Sequence, residues 1–421
     1  MASRSIPIPR RGSALDPYLF FAGRFVRDGA RSLMAILVVI YLAEIGFSNS
    51  QVGIIFGFSL AGGFVISVAV MLTSRGVSTR TWAVVNMFIT ALAGVLLIVS
   101  NDFWILIIGG FFGSYAASGA HWGGMMQLEQ TGIAAVVHQE RRTQAYSNLS
   151  IASSAGRATG ALLAGLSTLL INTLEWEPIS AYHAVLWLYV GMHGLAALVY
   201  LILSKAVHPQ SIANDNTSSF LANPFKARAR RPILTISSLF AIDSFAGGMV
   251  FESFVSFWLF TKFGMSAAAI GGLLIAAHAL NIASLALAPW VARRIGLLNT
   301  LVFTQVVSNI ALILFAFAPT VLIAVVLWLL RALFDEMDVP TRQAYMMGIT
   351  ETDEHSIMAG TANLGRGLGR IPSATVTGWL WAGALTVTPW IAAGTLKIAY
   401  DLAIWIAFRR VTISSRSPRG S

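Results

Sequence analysis

Gly46 to Gly53 reads GFSNSQVG, and Gly264 to Gly271 reads GMSAAAIG. Both run glycine, apolar, serine, three variable residues, apolar, glycine, and they start 218 residues apart. A second echo stands at nearly the same offset: HQERRTQA (His138 to Ala145) and TDEHSIMA (Thr352 to Ala359) each lead into a long stretch rich in small residues. Two echoes at about half of a 421-residue chain argue for a duplicated unit, and a repeat of that kind decides the architecture before any local motif does.

The repeated unit is apolar. Hydrophobic residues make up 56% of the chain and charged ones 11%, with a mean hydropathy of +0.72. Soluble domains carry roughly 25% charged residues, so this chain has too few to cover a surface in water and reads as a membrane protein. Crossing a hydrocarbon core of about 30 Å takes roughly 20 helical residues. Twelve stretches meet that length: 18–46, 50–73, 81–100, 103–128, 143–171, 181–204, 233–261, 266–291, 297–318, 320–348, 355–383 and 389–408. The longest interruption, SKAVHPQSIANDNTSSFLANPFKARARRP (Ser204 to Pro232), is polar, ends on a basic run and falls at mid-chain. The expectation is an all-α membrane protein of twelve transmembrane helices in two pseudo-symmetric six-helix bundles. Residues 18–204 and 233–408 form the bundles, 205–232 the linker, and 1–17 and 409–421 the tails.

A net charge of +10 and a pI near 10.3 would suggest nucleic acid in a soluble protein. Here the basic residues lie between apolar stretches, where they set topology, so no nucleic-acid partner is expected. Arg4, Arg10, Arg11, Arg75, Arg80, Arg141, Arg142, Lys205, Lys226, Arg228, Arg230, Arg231, Arg293, Arg294, Arg409, Arg410, Arg416 and Arg419 fall on one side, and Lys262 on the other. Termini and linker are therefore read as cytoplasmic. The N-terminal MASRSIPIPRRGSALDP lacks a compact apolar region before a small-residue cleavage site and does not read as a cleaved signal peptide. Without cysteine there are no disulfides, thiolate metal sites or cysteine nucleophiles. The seven histidines show no metal-ligand spacing. No Walker loop, Gly-x-Ser-x-Gly elbow or His-Glu-x-x-His is found, so neither enzyme chemistry nor ATP drive is expected, and no metal or cofactor.

Twelve helices in two halves, a basic central linker and APWVARRIGLLNT (Ala288 to Thr300), with its arginines and glycine between the eighth and ninth stretches, resemble the major facilitator superfamily. The resemblance covers residues 18–408. In the first-half copy of that loop pattern, MLTSRGVSTR, only Arg75, Gly76 and Arg80 are similar. MDVPTRQAY (Met337 to Tyr345) resembles a segment of one prokaryotic branch of the superfamily. The resemblance implies a secondary transporter in a bacterial inner membrane, acting as a monomer on a small-molecule substrate, with export slightly favoured over metabolite uptake. A transporter-like ligand sensor or lipid scramblase is the alternative of another class.

An ionisable residue at membrane depth costs on the order of 3 kcal/mol to insert, which makes it a functional-site candidate. Arg24, Asp28 and Arg31 line one face of the first stretch, and Glu129, beside Gln127 and Gln130, stands at similar depth in the fourth. In SSAGRATGALLAG, Arg157 maps at an offset of 214 to position 371, beside Arg370. Within NLGRGLGRIP, Arg366 and Arg370 are four apart with Asn363 one turn before, a spacing that places all three on one face. In the tenth stretch Arg331 pairs by spacing with Asp335, and Asp338 with Arg342, around Pro340. These residues are candidates for a substrate or cavity charge network: Arg24, Asp28, Arg31, Glu129, Arg157, Arg331, Asp335, Asn363, Arg366 and Arg370. Asp243, in LFAIDSFAGG with no charge near it in sequence, is the first candidate for a proton carrier, and Asp335 and Glu129 are seconds. Arg75, Arg293, Arg294, Asp338, Pro340 and Arg342 are candidates for gating. His121 and His278 are read as packing residues. The excess of deep arginines leans toward an anionic or zwitterionic solute.

Overall fold

A computed structural model describes residues 13–73, 77–113, 115, 124–137, 141–204, 230–338, 355–383 and 385–409. Sixteen α-helices run through them. In the first half these are α1 (Asp16–Glu44), α2 (Asn49–Thr73), α3 (Thr79–Val99), α4 (Phe103–Gly113), α5 (Gly124–Val136), α6 (Arg142–Ala164), α7 (Leu166–Leu174) and α8 (Pro178–Leu201). In the second they are α9 (Arg230–Gly248), α10 (Glu252–Phe263), α11 (Ala267–Ile295), α12 (Leu297–Ala316), α13 (Val321–Asp335), α14 (His355–Arg370), α15 (Ser373–Ala382) and α16 (Thr388–Phe408). Eight segments are long and apolar enough to cross a membrane: 49–70, 79–99, 144–174, 178–201, 233–263, 267–295, 297–316 and 388–407. Helix α1 matches them at 29 residues, but it carries Arg24, Arg27, Asp28 and Arg31 within its length.

The duplication is visible in the backbone. Asn49 and Ala267, Thr79 and Leu297, and Phe103 and Val321 open corresponding helices, each pair 218 residues apart. Before the first of these, Gly46 (φ 92°) and Gly264 (φ 64°) both sit in the left-handed region that only glycine enters without cost. Two residues on, the serine caps the next helix. Ser48 Oγ accepts from the Gln51 N–H at 3.4 Å, and Ser266 Oγ from the Ala269 N–H at 3.3 Å. For the helices that open at Arg142 and His355 the offset becomes 213, which equates Arg157 with Arg370 itself rather than with its neighbour.

Several spans read as continuous are broken. Gly165 divides α6 from α7, residues 249–251 divide α9 from α10, and Ile371 and Pro372 divide α14 from α15. Proline has no N–H to continue a helical ladder, which accounts for the last break. The fourth stretch, expected to end at 128, continues to Val136.

Three buried apolar clusters organise the packing. The largest draws on both halves: Leu33 to Leu42 of α1 and Ile55 and Phe56 of α2 pack with Phe254 to Leu259 of α10, Leu274 of α11 and Trp381 of α15. These residues lie toward the end that carries Gly46 and Gly264. Toward the other end the core splits in two. One cluster takes residues only from 20–203, including Phe20, Val70, Leu128 and Tyr200. The other takes them only from 233–404, including Ile233, Phe240, Leu301 and Tyr400. The halves are thus joined at one end and independently cored at the other.

Small residues set the helix separations. A Cβ on Gly156 would collide with the Phe25 carbonyl and one on Gly160 with the Gly29 carbonyl, so α6 lies backbone to backbone on α1. Gly369 meets the Ala241 carbonyl in the same way, laying α14 on α9. Gly53 faces Gly378 across the halves, and Gly271 faces the Ala161 carbonyl. Gly160→Val is therefore expected to destabilise the protein by about 1–3 kcal/mol through overpacking. The check is a melting curve in detergent, where an unchanged midpoint would refute such tight packing.

Candidate functional site

The first half contains a closed charge knot. Arg24 Nε lies 2.7 Å from Asp28 Oδ2 and Arg24 Nη1 2.5 Å from Glu129 Oε2. Arg27 Nη2 bridges the same acids, 3.2 Å from Asp28 and 3.1 Å from Glu129. Tyr200 donates to Glu129 Oε1 at 2.6 Å and Ser153 to Asp28 Oδ2 at 2.5 Å. All four charged groups are buried, and two cations meet two anions. Burying ions is tolerable only with such pairing. The knot ties α1, α5, α6 and α8 together and leaves Arg24, Asp28 and Glu129 engaged with one another. Arg27 was missed in the sequence reading, although RFVRDGAR displays it: Arg27 lies three residues after Arg24 and four before Arg31, on the same stripe.

The second half carries a looser polar set. Lys397 Nζ on α16 lies 3.0 Å from Asp243 Oδ1 on α9. The carboxylate that looks solitary in sequence therefore has a cation beside it. Arg331 pairs with Asp335 at 3.0 Å and stacks over Trp328, while Ser308 donates to Asp335. Asn309 donates to the buried Asp401 at 3.2 Å. The Arg366 guanidinium lies 4.1 Å from the centre of the Phe240 ring, turned toward α9. Asn363 is exposed. Lys397, Asp401 and Asn309 were passed over in sequence, since nothing local distinguishes them within their apolar spans.

Between the halves lies a third group. Arg31 on α1, Glu252 at the start of α10, His278 on α11 and Arg370 at the end of α14 each stand about eleven to thirteen residues from the joined end, roughly 18 Å along the helix axes. Arg370 is within electrostatic reach of Asp243, Arg31 and Glu252, and His278 of Glu252 and Arg157. His278 Nε2 and Glu252 Oε1 are 3.7 Å apart, so the histidine is not a bystander in packing. Arg157 sits one turn before Ala161, on the face of α6 that meets α11. The guanidinium groups of Arg157 and Arg370 have no ion pair or hydrogen bond among the described residues, and the Nε of each is buried. Two arginines at equivalent places in the two repeats, both unpaired and both partly accessible, form a basic centre shaped to receive oxygen acceptors. Among the described residues no group of acids and histidines could hold a metal ion.

The sequence model of the Major Facilitator Superfamily matches residues 20–374. The chain belongs to this superfamily. The uncharacterized membrane protein YJR124C of Saccharomyces cerevisiae is 22% identical over 392 residues, which cover 87% of this chain and 88% of that one. Among solved structures, the nucleoside transporter NupG superposes with a TM-score of 0.76 at 14% identity over 93% of this chain and 99% of the other. A D-xylose-proton symporter gives 0.70 at 13%, covering 92% and 96%. A bacterial homologue of the human lysosomal transporter Spinster, inward-facing and occupied, gives 0.69 at 15%, covering 94% and 98%. These likenesses establish the fold, and superfamily membership makes the chain an integral membrane protein of a transporter family rather than an enzyme.

Within the superfamily frame, the loop arginines Arg293 and Arg294 occupy the last turn of α11, both exposed, with Arg294 5.6 Å from the Trp290 ring centre. Asp338 is buried just past α13. Arg75, Pro340, Arg342 and His121 lie outside the described residues.

Proposed function

We propose that this major facilitator protein is a secondary transporter of an anionic or zwitterionic small organic solute, coupled to protons and working by alternating access. The observation that carries this reading is the Arg157 and Arg370 pair, repeat-related, at mid-membrane level and without partners. A guanidinium fork presents parallel N–H donors that match a carboxylate or phosphate. Retaining two such groups unpaired at depth is costly unless a ligand satisfies them. Inverted or parallel repeats in transporters commonly place their site at the repeat interface, which is where this pair lies.

Twelve spans in the bundles 18–204 and 233–408 supply the moving parts. With the basic loops and termini in the cytoplasm, the split cores mark the cytoplasmic end, and the arrangement described here is open inward. Arg293, Arg294 and the segment around Asp338 then stand where closure of that end would bring the halves together. A monomer in a plasma membrane suffices for this cycle.

A melting-point screen of the purified protein tests the solute class, because a ligand bound only by the folded state raises the midpoint by mass action. Mono- and dicarboxylates, sugar phosphates and nucleotides are expected to stabilise it, and lipophilic cations are not. A hit is then loaded into proteoliposomes for counterflow. Saturable counterflow supports a carrier, whereas stabilisation without flux would replace the carrier with a ligand sensor.

A further inference from the structure

We propose that Asp401 is a proton-binding site and that Lys397, choosing between Asp243 and Asp401, couples this proton to anion capture at Arg370. The proposal rests on the reading of Arg370 as the anion site.

Asp401 is 1% exposed, and the partner of its carboxyl group is the neutral amide of Asn309, 3.2 Å from Oδ2. Asn309 is itself 0% exposed, and its Oδ1 is a buried acceptor with no donor. A protonated Asp401 fits both observations. Its O–H donates to the idle amide oxygen while its other oxygen accepts from the amide N–H, closing an acid–amide ring in which every polar atom is satisfied. An ionised Asp401 would leave the amide oxygen idle and bury a charge whose nearest cation is already engaged.

That cation is Lys397, four residues earlier on α16 and therefore on the same face. Its ammonium group lies 3.0 Å from Asp243 Oδ1. The other charged groups around this pair are Asp338, which acts on Asp401, and Arg331 and Asp335 from α13, which act on Lys397. Arg366 of α14 covers Phe240, whose ring in turn faces Tyr400. Helix α12 contributes the neutral Asn309, and α15 carries no titratable residue.

Loss of the proton places a full negative charge one turn from Lys397. The ammonium group swings to Asp401, and Asp243 is released toward Arg370, within whose electrostatic reach it already lies. Arg370 then pairs internally and is withdrawn from the solute. With the proton bound, Lys397 holds Asp243 and Arg370 is open; with it gone, Arg370 is closed. Proton and anion therefore load together and leave together, which makes the carrier a symporter.

Two measurements on the purified full-length protein test this without any substrate. Infrared difference spectra across a pH titration are expected to show a protonated carboxyl band in wild type that is missing in Asp401→Asn and retained in Asp243→Asn. Loss of the band in Asp243→Asn alone, or no titrating band in wild type, would overturn the assignment. Phenylglyoxal labelling of Arg370, followed by mass spectrometry, reads the second step. At alkaline pH, Asp401→Asn and Lys397→Gln, which respectively mimic the protonated acid and remove the switch, bracket wild type. Arg370 should label several-fold faster in Asp401→Asn than in wild type, and several-fold slower in Lys397→Gln than in Asp401→Asn. Equal rates in all three refute the coupling, and if Asp401→Asn fails to fold, equal rates in wild type and Lys397→Gln at acid pH do the same. If both signals appear while counterflow is silent for every solute, the carrier reading falls and the proton site stands.

Discussion

Replacing Arg370 with glutamine is expected to abolish transport while leaving the empty protein as stable as before, or more stable. Truncating one member of a buried, hydrogen-bonded charge pair costs about 2–5 kcal/mol. At about 3 kcal/mol the solute would bind roughly 100-fold more weakly. Arg157→Gln is expected to do the same, because the two side chains occupy matching positions in the repeat. Neither guanidinium has a partner among the described residues, so its removal breaks no bond and discards the cost of burying a charge. Loss of function with retained or raised melting point is the pattern of a binding group, since functional sites are commonly destabilised for their task. Arg366→Gln is the contrast: that side chain rests on Phe240, and its loss should cost packing and leave ligand-dependent stabilisation in place. If the Arg370 variant transports normally, or melts several degrees lower when empty, the arginine is structural and the proposed site is wrong.

The opposite pattern is expected of Glu129. Its two oxygens take Arg24, Arg27 and Tyr200 together, with no exposure to solvent. Glu129→Ala leaves two buried guanidinium groups competing for Asp28 and a tyrosine hydroxyl without an acceptor. Breaking a buried pair in this way costs about 3–5 kcal/mol, a large share of a typical folding free energy. The expected outcome is little monodisperse protein after purification, with any folded fraction melting far below wild type. Tyr200→Phe removes one donor from the same carboxylate and should cost only about 1–3 kcal/mol. Should Glu129→Ala purify and melt like wild type, the knot contributes little to stability, and Glu129 returns as a candidate for proton transfer.

These two residues show where sequence reading reaches and where it stops. Arg157 and Arg370 were found by the repeat offset, because a duplication leaves its register in the chain. The caps at Ser48 and Ser266 follow from the same register. Glu129 was matched by depth with Arg24 and Arg31, and the partners it has are Arg24 and Arg27. The breaks after Gly165 and before Phe251 had no comparable signature, since glycine-rich and aromatic runs continue a helix as readily as they interrupt it in an apolar span. Asp243 is the plainest limit. Its cation is Lys397, 154 residues further on, and only the packing of α16 on α9 brings them together. Depth in a helix is a local property and can be counted; the identity of a partner on another helix is tertiary and cannot.

At the joined end, Gly53 meets Gly378 and Gly271 meets Ala161 through bare backbone. Contacts of that kind are held by dispersion, which is strong only when surfaces touch and fades within about an ångström. Once the two surfaces part, they have little long-range pull with which to find each other again. The seam behaves as a clasp, held firmly while shut and indifferent when open. Whatever draws the molecule back through its cycle must then reach further than the clasp does, and a charged passenger suspended between two cationic arms has that reach.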